Sequence, residues 1–133
     1  MTKYCACLVS VLLFMAPSVA IGAEKITKTI SADQTSHVWS VAIYNRHSCR
    51  GRATPTLGRW SAEHGTLTTK KVKHVIEEGE RCAGNTFYYL SVFYTPKDGF
   101  RGTDTVTFSV VTPRWDGSHQ KKSWRYKADL TIK

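Results

Sequence analysis

The chain has 133 residues, with 19 lysines and arginines against 10 aspartates and glutamates, which gives a formal net charge of +9. A chain of this length can build one hydrophobic core, but it is too short for two independent domains. The positive balance favours acidic partners and carries no information about the fold.

The first 23 residues have the pattern of a secretory signal peptide. Lys3 gives the positive start, an apolar stretch of roughly 12 residues follows, and small residues up to Ala23 form a cleavage region. We expect cleavage after Ala23 or Ala20. The apolar stretch is shorter than the about 20 residues that a membrane anchor needs. These features predict a periplasmic or secreted protein without a transmembrane segment in the mature chain.

Two cysteines remain in the predicted mature chain, residues 24–133, because Cys5 and Cys7 belong to the leader. In an exported protein such a pair usually forms a disulfide, so we expect a bond between Cys49 and Cys82. In the chain-entropy model, closing a loop of this size contributes about 3–4 kcal/mol to stability. The remaining roughly 110 residues are expected to form a single domain.

The first part of the mature chain predicts short strands separated by turns. Residues 26–31 form a candidate edge strand, and residues 57–62 form another brief strand. Residues 37–44 alternate more clearly, with Val38 and Trp39 on opposite faces. Both faces of this second strand carry apolar side chains, which indicates a strand that is covered on both sides.

The middle of the chain predicts long connections. Residues 45–56 read as a basic loop that contains Cys49. Gly65 is expected to permit a turn, after which residues 66–68 resume an extended conformation. Residues 70–85 are charged and predict a long connection, with residues 77–82 at the tip of a hairpin or in a pinned loop.

The last third has the strongest strand patterns. Residues 86–94 are dense in aromatic and branched side chains on both faces, which predicts a central strand. In residues 103–111 apolar and polar side chains alternate, so one face is buried. The final strand alternates throughout, with these residues inward: Trp124, Tyr126, Ala128, Leu130 and Ile132. About seven strands and no helical periodicity predict an all-β, antiparallel sandwich.

One run of residues, a tight corner feeding a strand, carries a family resemblance: Tyr94-Thr95-Pro96, then Phe100, Gly102, Asp104 and Phe108. It resembles the final corner of bacterial immunoglobulin-like and cadherin-like repeat domains, and His64-Gly65-Thr66 before a strand resembles the same repeats. The likeness extends from about His64 to Val110. It implies an immunoglobulin-like β-sandwich for residues 24–133, and it leaves the function open because such domains serve adhesion, spacing, assembly and ligand binding alike.

Residues that could bind metal or catalyse are scattered. His47 and Cys49 are two possible zinc ligands, but a zinc site needs a second cluster. Asp98, Asp104 and Asp116 are single acids in turns, whereas calcium requires clustered oxygen ligands, and we expect Asp104 to cap a turn. Serine elbows, paired carboxylates and phosphate loops are not found in the sequence. The pattern predicts a non-enzymatic protein without metal or cofactor.

The basic surplus is the remaining clue to function. Basic residues collect in segments 46–59, 70–73 and 114–127, and tryptophans lie among the last group. Basic side chains beside exposed aromatic rings suit an anionic polymer, through charge attraction and stacking on sugar rings. We therefore predict a ligand-binding loop that consists of Arg114, Trp115, Lys121 and Lys122.

The ligands considered are lipopolysaccharide, an acidic polysaccharide and another acidic envelope component, while nucleic acid is disfavoured by the compartment. The leading hypothesis is a monomeric, exported, non-enzymatic binding or structural module of the bacterial cell envelope. Its alternatives are recognition of an acidic polysaccharide by the loop just described, and a small periplasmic enzyme. Basic side chains on the terminal strands are expected to protect sheet edges: Lys25, Lys28, Arg125, Lys127 and Lys133.

Overall fold

The computed structural model describes residues 24–51, 53–115 and 117–133, so the predicted signal peptide lies outside the described residues. Strands and their connections account for all of these residues: β1 Glu24–Ile30, β2 Ser36–Val41, β3 Tyr44–Asn45, β4 Arg50–Gly51, β5 Thr56–Ser61, β6 Gly65–Val75, β7 Thr86–Pro96, β8 Gly102–Pro113 and β9 Lys121–Ile132. The all-β prediction is confirmed. Over this part of the chain, no helix has the length and apolarity needed to cross a membrane.

The strands form a four-stranded sheet in the order β1-β9-β8-β5, a three-stranded sheet in the order β2-β7-β6, and a short β3-β4 ladder. The central position predicted for residues 86–94 is confirmed, since β7 lies between β2 and β6. The larger sheet is mixed, because β1 pairs with β9 in parallel. An entirely antiparallel sandwich was therefore the wrong expectation.

The place of β9 corrects the expectation about edge lysines. β9 lies between β1 and β8, so Arg125 and Lys127 are not on a sheet edge. Backbone hydrogen bonds from Ala32 to Lys133 and from Lys133 to Ile30 close the ends of the parallel pair. Lysines on β1 remain at an edge, where Lys25 forms an ion pair with Asp129.

Two strands differ from their predicted limits or phase. The strand predicted to span residues 37–44 ends at Val41, and a register shift between His37 and Trp39 interrupts its alternation. Val38 therefore belongs to the core while Trp39 also packs against it, instead of pointing to the opposite side. In contrast, β6 continues to Val75, so the predicted long connection 70–85 begins with six residues of strand and is a connection only from residue 76 to residue 85.

The hydrophobic core lies between the two larger sheets. The Trp39 ring of β2 lies with its centroid 4.1 Å from that of Tyr126 in β9 and 6.0 Å from that of Phe108 in β8. Val106, Phe108 and Val110 are buried as predicted, whereas Trp124 and Tyr126 are only partly buried. Apolar side chains of both sheets thus form one packed layer.

A buried carboxylate holds the corner that carries the family resemblance. Asp104 accepts hydrogen bonds from the Tyr94 hydroxyl at 2.7 Å, the His64 amide at 3.0 Å and the Glu63 amide at 3.4 Å. Burial alone would raise the pKa of Asp104, but the bonds from Tyr94 and the two amides outweigh it and hold the pKa below its usual value. Asp104 therefore caps the turn before β6 from inside β8.

Gly65 is needed at this corner for space. A Cβ at this position would lie 2.5 Å from the Tyr94 hydroxyl oxygen and 2.6 Å from the Thr95 carbonyl oxygen. The backbone of Gly65 is outside the left-handed region, so glycine permits the corner here through its small size and not through a positive φ. The neighbouring His64 ring stacks on Phe100, with centroids 4.1 Å apart. Close packing thus explains the histidine-glycine pair.

The predicted disulfide is present between Cys49 and Cys82, with an S–S distance of 2.03 Å. It joins the β3–β4 turn to the connection between β6 and β7. Beside it the Tyr44 ring stacks on Phe87, with centroids 4.8 Å apart. The bond therefore fastens the short β3-β4 ladder to the end of the long β6–β7 hairpin.

Replacing both cysteines, Cys49→Ser with Cys82→Ser, should lower the free energy of unfolding by about 3 kcal/mol, because the unfolded chain regains the entropy of an open loop. The far-ultraviolet circular dichroism spectrum should be unchanged. Urea unfolding of the variant, beside the reduced wild-type protein as control, measures the loss. A variant that unfolds at the same urea concentration as the oxidised wild-type protein would contradict this expectation.

Candidate functional site

The turn between β8 and β9 brings together the four residues predicted to bind a ligand. Lys121 pairs across the strands with Pro113, and Lys122 pairs with Thr112. The Arg114 amide donates to the Gln120 carbonyl at 2.8 Å, and its guanidinium donates to the Gln120 side chain at 3.1 Å. The predicted residues therefore share one hairpin end, which we call the β8–β9 tip (Arg114, Trp115, Lys121 and Lys122).

Local hydrogen bonds shape this tip. The Ser118 amide donates to the Trp115 carbonyl at 3.0 Å, and the Ser118 hydroxyl accepts from the Gln120 amide at 3.0 Å. Gly117 adopts a φ of 77°, which a residue without a side chain accommodates readily. Trp115 is 51% exposed. An exposed tryptophan and three basic residues thus share one hairpin end.

A second aromatic ring extends the tip along β9. The Lys122 ammonium lies 4.9 Å from the centroid of the Trp124 ring, a cation–π contact. Trp124 is in phase with the core residues of β9, yet it is only partly buried. The Trp124 side chain therefore points inward as expected, while part of it remains accessible to solvent.

Sequence reasoning missed two further lysine–aromatic contacts on β6. The Lys71 ammonium lies 4.3 Å from the centroid of the Tyr88 ring, and the Lys70 ammonium lies 5.4 Å from that of Phe93. These contacts form because β6 continues beside β7 as a long antiparallel strand. The only sequence signal was the charged segment 70–73 before an aromatic strand, and it was interpreted as a connection.

The scattered metal and calcium candidates do not come together. Cys49 is bonded to Cys82, so it has no thiolate to offer beside His47. The Asp104 carboxylate accepts the hydrogen bond of the Tyr94 hydroxyl at the corner, and Asp116 lies outside the described residues. In segments 24–51, 53–115 and 117–133, no group of three or more histidine, cysteine or acidic side chains could hold a metal ion.

A histidine–serine chain lies on β2 and β7. The His37 Nε2 atom is 2.7 Å from the Ser40 hydroxyl, which is 2.8 Å from the Ser91 hydroxyl. Burial and, to a smaller degree, the Lys28 charge lower the pKa of His37 and favour its neutral form. Within the described residues no carboxylate is hydrogen-bonded to the His37 ring. These hydrogen bonds link β2 to β7, but they lack the carboxylate that orients the histidine in a catalytic triad.

Comparison with known proteins gives little. No family model matches the chain, and no curated protein matches it. Among solved structures, the one described as "Solution Structure of Amebosin" superimposes with a TM-score of 0.44 at 11% sequence identity, covering 84% of this chain and 99% of that chain. A superposition this loose carries no inference about function.

Proposed function

We propose that this protein is an exported, non-enzymatic binding module of the bacterial cell envelope, built as an immunoglobulin-like β-sandwich, and that it recognises an anionic envelope polymer. The observation that carries the proposal is the β8–β9 tip, where three basic residues and an exposed tryptophan lie at one hairpin end. Export is supported by the Cys49–Cys82 disulfide, since such bonds persist in oxidising compartments. The immunoglobulin-like assignment is supported by two facing sheets and by the Tyr94–Asp104 corner.

The chemistry of the tip suits an acidic polysaccharide best. Its cations attract carboxylate, sulfate or phosphate groups, and the Trp115 ring offers a face on which a sugar ring can stack. The guanidinium of Arg114 is oriented by Gln120, which reduces the side-chain freedom that binding would remove. Contacts of this kind are exposed and depend on salt, so affinity is expected to come from several repeated units of the polymer.

The double variant Arg114→Gln with Lys121→Gln should bind polygalacturonate about tenfold more weakly than the wild-type protein, because two exposed charge contacts are lost. Wild-type affinity should fall steeply as sodium chloride is raised. The exported protein is purified and titrated with the polymer and with neutral dextran. The matched control is Arg125→Gln with Lys133→Gln, which removes the same charge away from the tip.

Equal losses in the two double variants would show a diffuse effect of net charge and would contradict a site at the tip. The wild-type protein could also fail to bind polygalacturonate, lipopolysaccharide and other acidic envelope polymers at low salt. The protein would then be a passive spacer without a polymer ligand. That outcome would overturn the proposed function.

A further inference from the structure

The two lysine–aromatic contacts on Tyr88 and Trp124 both lie toward the end of the sandwich that is opposite the Tyr94–Asp104 corner. The Tyr94–Asp104 hydrogen bond fixes one point common to β7 and β8. Counting six residues along each strand from this bond leads to Tyr88 in β7 and to Val110 in β8. At the usual rise of a strand, each of them lies about 20 Å from the bond. Val110 pairs with Trp124 of β9. Tyr88 and Trp124 are therefore at the end of the sandwich opposite the corner.

Both rings are on the faces that the sheets turn toward each other. Tyr88 is in phase with Leu90, Val92 and Tyr94, which are buried in the core. Trp124 shares the inner face of its sheet with its buried partner Val110. Tyr88 is nevertheless 43% exposed, although the pleat directs it inward. The core thus ends below these rings, and the space between the sheets opens to solvent there.

Lysines surround this opening. Lys71 and Lys122 lie over the two rings, as described above, and Lys73 pairs across the strands with Tyr88. Because cross-strand partners share a face, Lys73 also lies on the inner face of its sheet. We call this set the open end: Lys71, Lys73, Tyr88, Lys122 and Trp124.

The acidic segment of the β6–β7 connection is anchored on the other side of the smaller sheet. Residues 77–80 carry three glutamates, in the connection that Cys82 ties to the β3–β4 turn. Tyr44 of that ladder stacks on Phe87, which alternates with Tyr88 and so faces away from the core. Glu24 of β1 pairs with Tyr126, so its carboxylate lies on the inner face of the larger sheet near this end. Lys71, Lys73 and Lys122 outnumber it, so the described side chains that face the space between the sheets here carry a net positive charge.

We propose that the open end is a second, inter-sheet binding site for an acidic oligosaccharide, a proposal that rests on the proposed function and names its ligand class more closely. Tyr88 and Trp124 would stack on sugar rings, while the ammonium groups of Lys71 and Lys122 pair with carboxylates of the same chain of sugars. Aromatic rings supply the stacking surface, and lysines supply the charge preference. Lys122 belongs to both the β8–β9 tip and the open end, so one polymer can run from one to the other.

The test uses a trimer of galacturonic acid, its fully methyl-esterified form, and a peptide of three glutamates. Binding to the purified exported protein is measured by calorimetry at low salt for the wild type, Lys71→Gln and Tyr88→Leu. Lys70→Gln is the matched control, since Lys70 is the neighbouring residue, also lies over an aromatic ring, and is on the opposite face of β6. Thermal midpoints close to that of the wild-type protein confirm that each variant is folded.

The trimer should bind about fivefold more weakly to Lys71→Gln and to Tyr88→Leu, and within about twofold of wild type to Lys70→Gln, as expected for loss of one exposed contact. The esterified trimer and the peptide should bind more weakly than the acidic trimer. Equal losses in Lys70→Gln and Lys71→Gln, equal binding of the peptide, or no effect of either open-end variant would each overturn the site. If the wild-type protein binds the polymer through the tip but not the trimer, only this inference fails; if it binds neither, the proposed function fails as well.

Discussion

Replacing Asp104 with alanine should lower the free energy of unfolding by about 3–5 kcal/mol, since each buried donor left without an acceptor costs about 1–3 kcal/mol. The substitution removes the common acceptor of the Tyr94 hydroxyl and of the amides of Glu63 and His64. A loss of this size is a large part of the stability of a small domain. Urea unfolding, followed by tryptophan fluorescence, measures it.

Asp104→Asn is the control that separates charge from shape. The pKa of Asp104 is held below its usual value in the folded protein, so its charged form stabilises the fold at pH above the unfolded-state pKa. That contribution is lost as the pH falls through the folded-state pKa. The stability difference between wild type and Asp104→Asn should therefore shrink in acid. A difference that is constant from pH 7 down to pH 2 would show that the charge of Asp104 does not support the corner.

Phe108→Ala should cost about 3–5 kcal/mol, because it removes a buried aromatic side chain and leaves a cavity. Phe108 is 2% exposed, and its ring stacks on Tyr126 with centroids 5.4 Å apart. It also faces Trp39 of the other sheet. The loss should lower the thermal midpoint by roughly 10 °C or more in a domain of this size.

The control for Phe108 is Trp60→Ala, because Trp60 is its cross-strand partner on β5 and is 41% exposed. Truncating this larger but more accessible ring should cost less than truncating Phe108. A smaller effect of Phe108→Ala than of Trp60→Ala would mean that the core is centred elsewhere.

Strands with regular alternation were predicted well from the sequence. Residues 86–94, 103–111 and 124–132 lie within β7, β8 and β9, because a period of two in apolar side chains reports directly which face is buried. The predicted disulfide followed from the small number of cysteines left in the predicted mature chain. The grouping of Arg114, Trp115, Lys121 and Lys122 also followed, since a turn between two adjacent strands brings its flanking residues together.

Features that depend on neighbours distant in sequence were missed. The continuation of β6 to Val75 is stabilised by pairing with β7, whereas its own lysines read as a solvated connection. The shift at His37 and Trp39 turns two consecutive apolar residues toward one core, which no regular alternation predicts. The parallel pairing of β1 with β9 joins the two ends of the described chain.

Alternation in the sequence determined which side chains of each long strand face inward, and it placed the basic, tryptophan-containing hairpin next to the last strand. Tertiary structure alone decided that Lys71 lies over Tyr88, that Lys122 lies over Trp124, and that Tyr88 remains exposed although it is in phase with the core residues of β7. The physical reason is that alternation is local, whereas the relative position of two sheets is set by a few long-range contacts. In this protein those contacts include the Tyr94–Asp104 hydrogen bond and the packing of Trp39 on Tyr126.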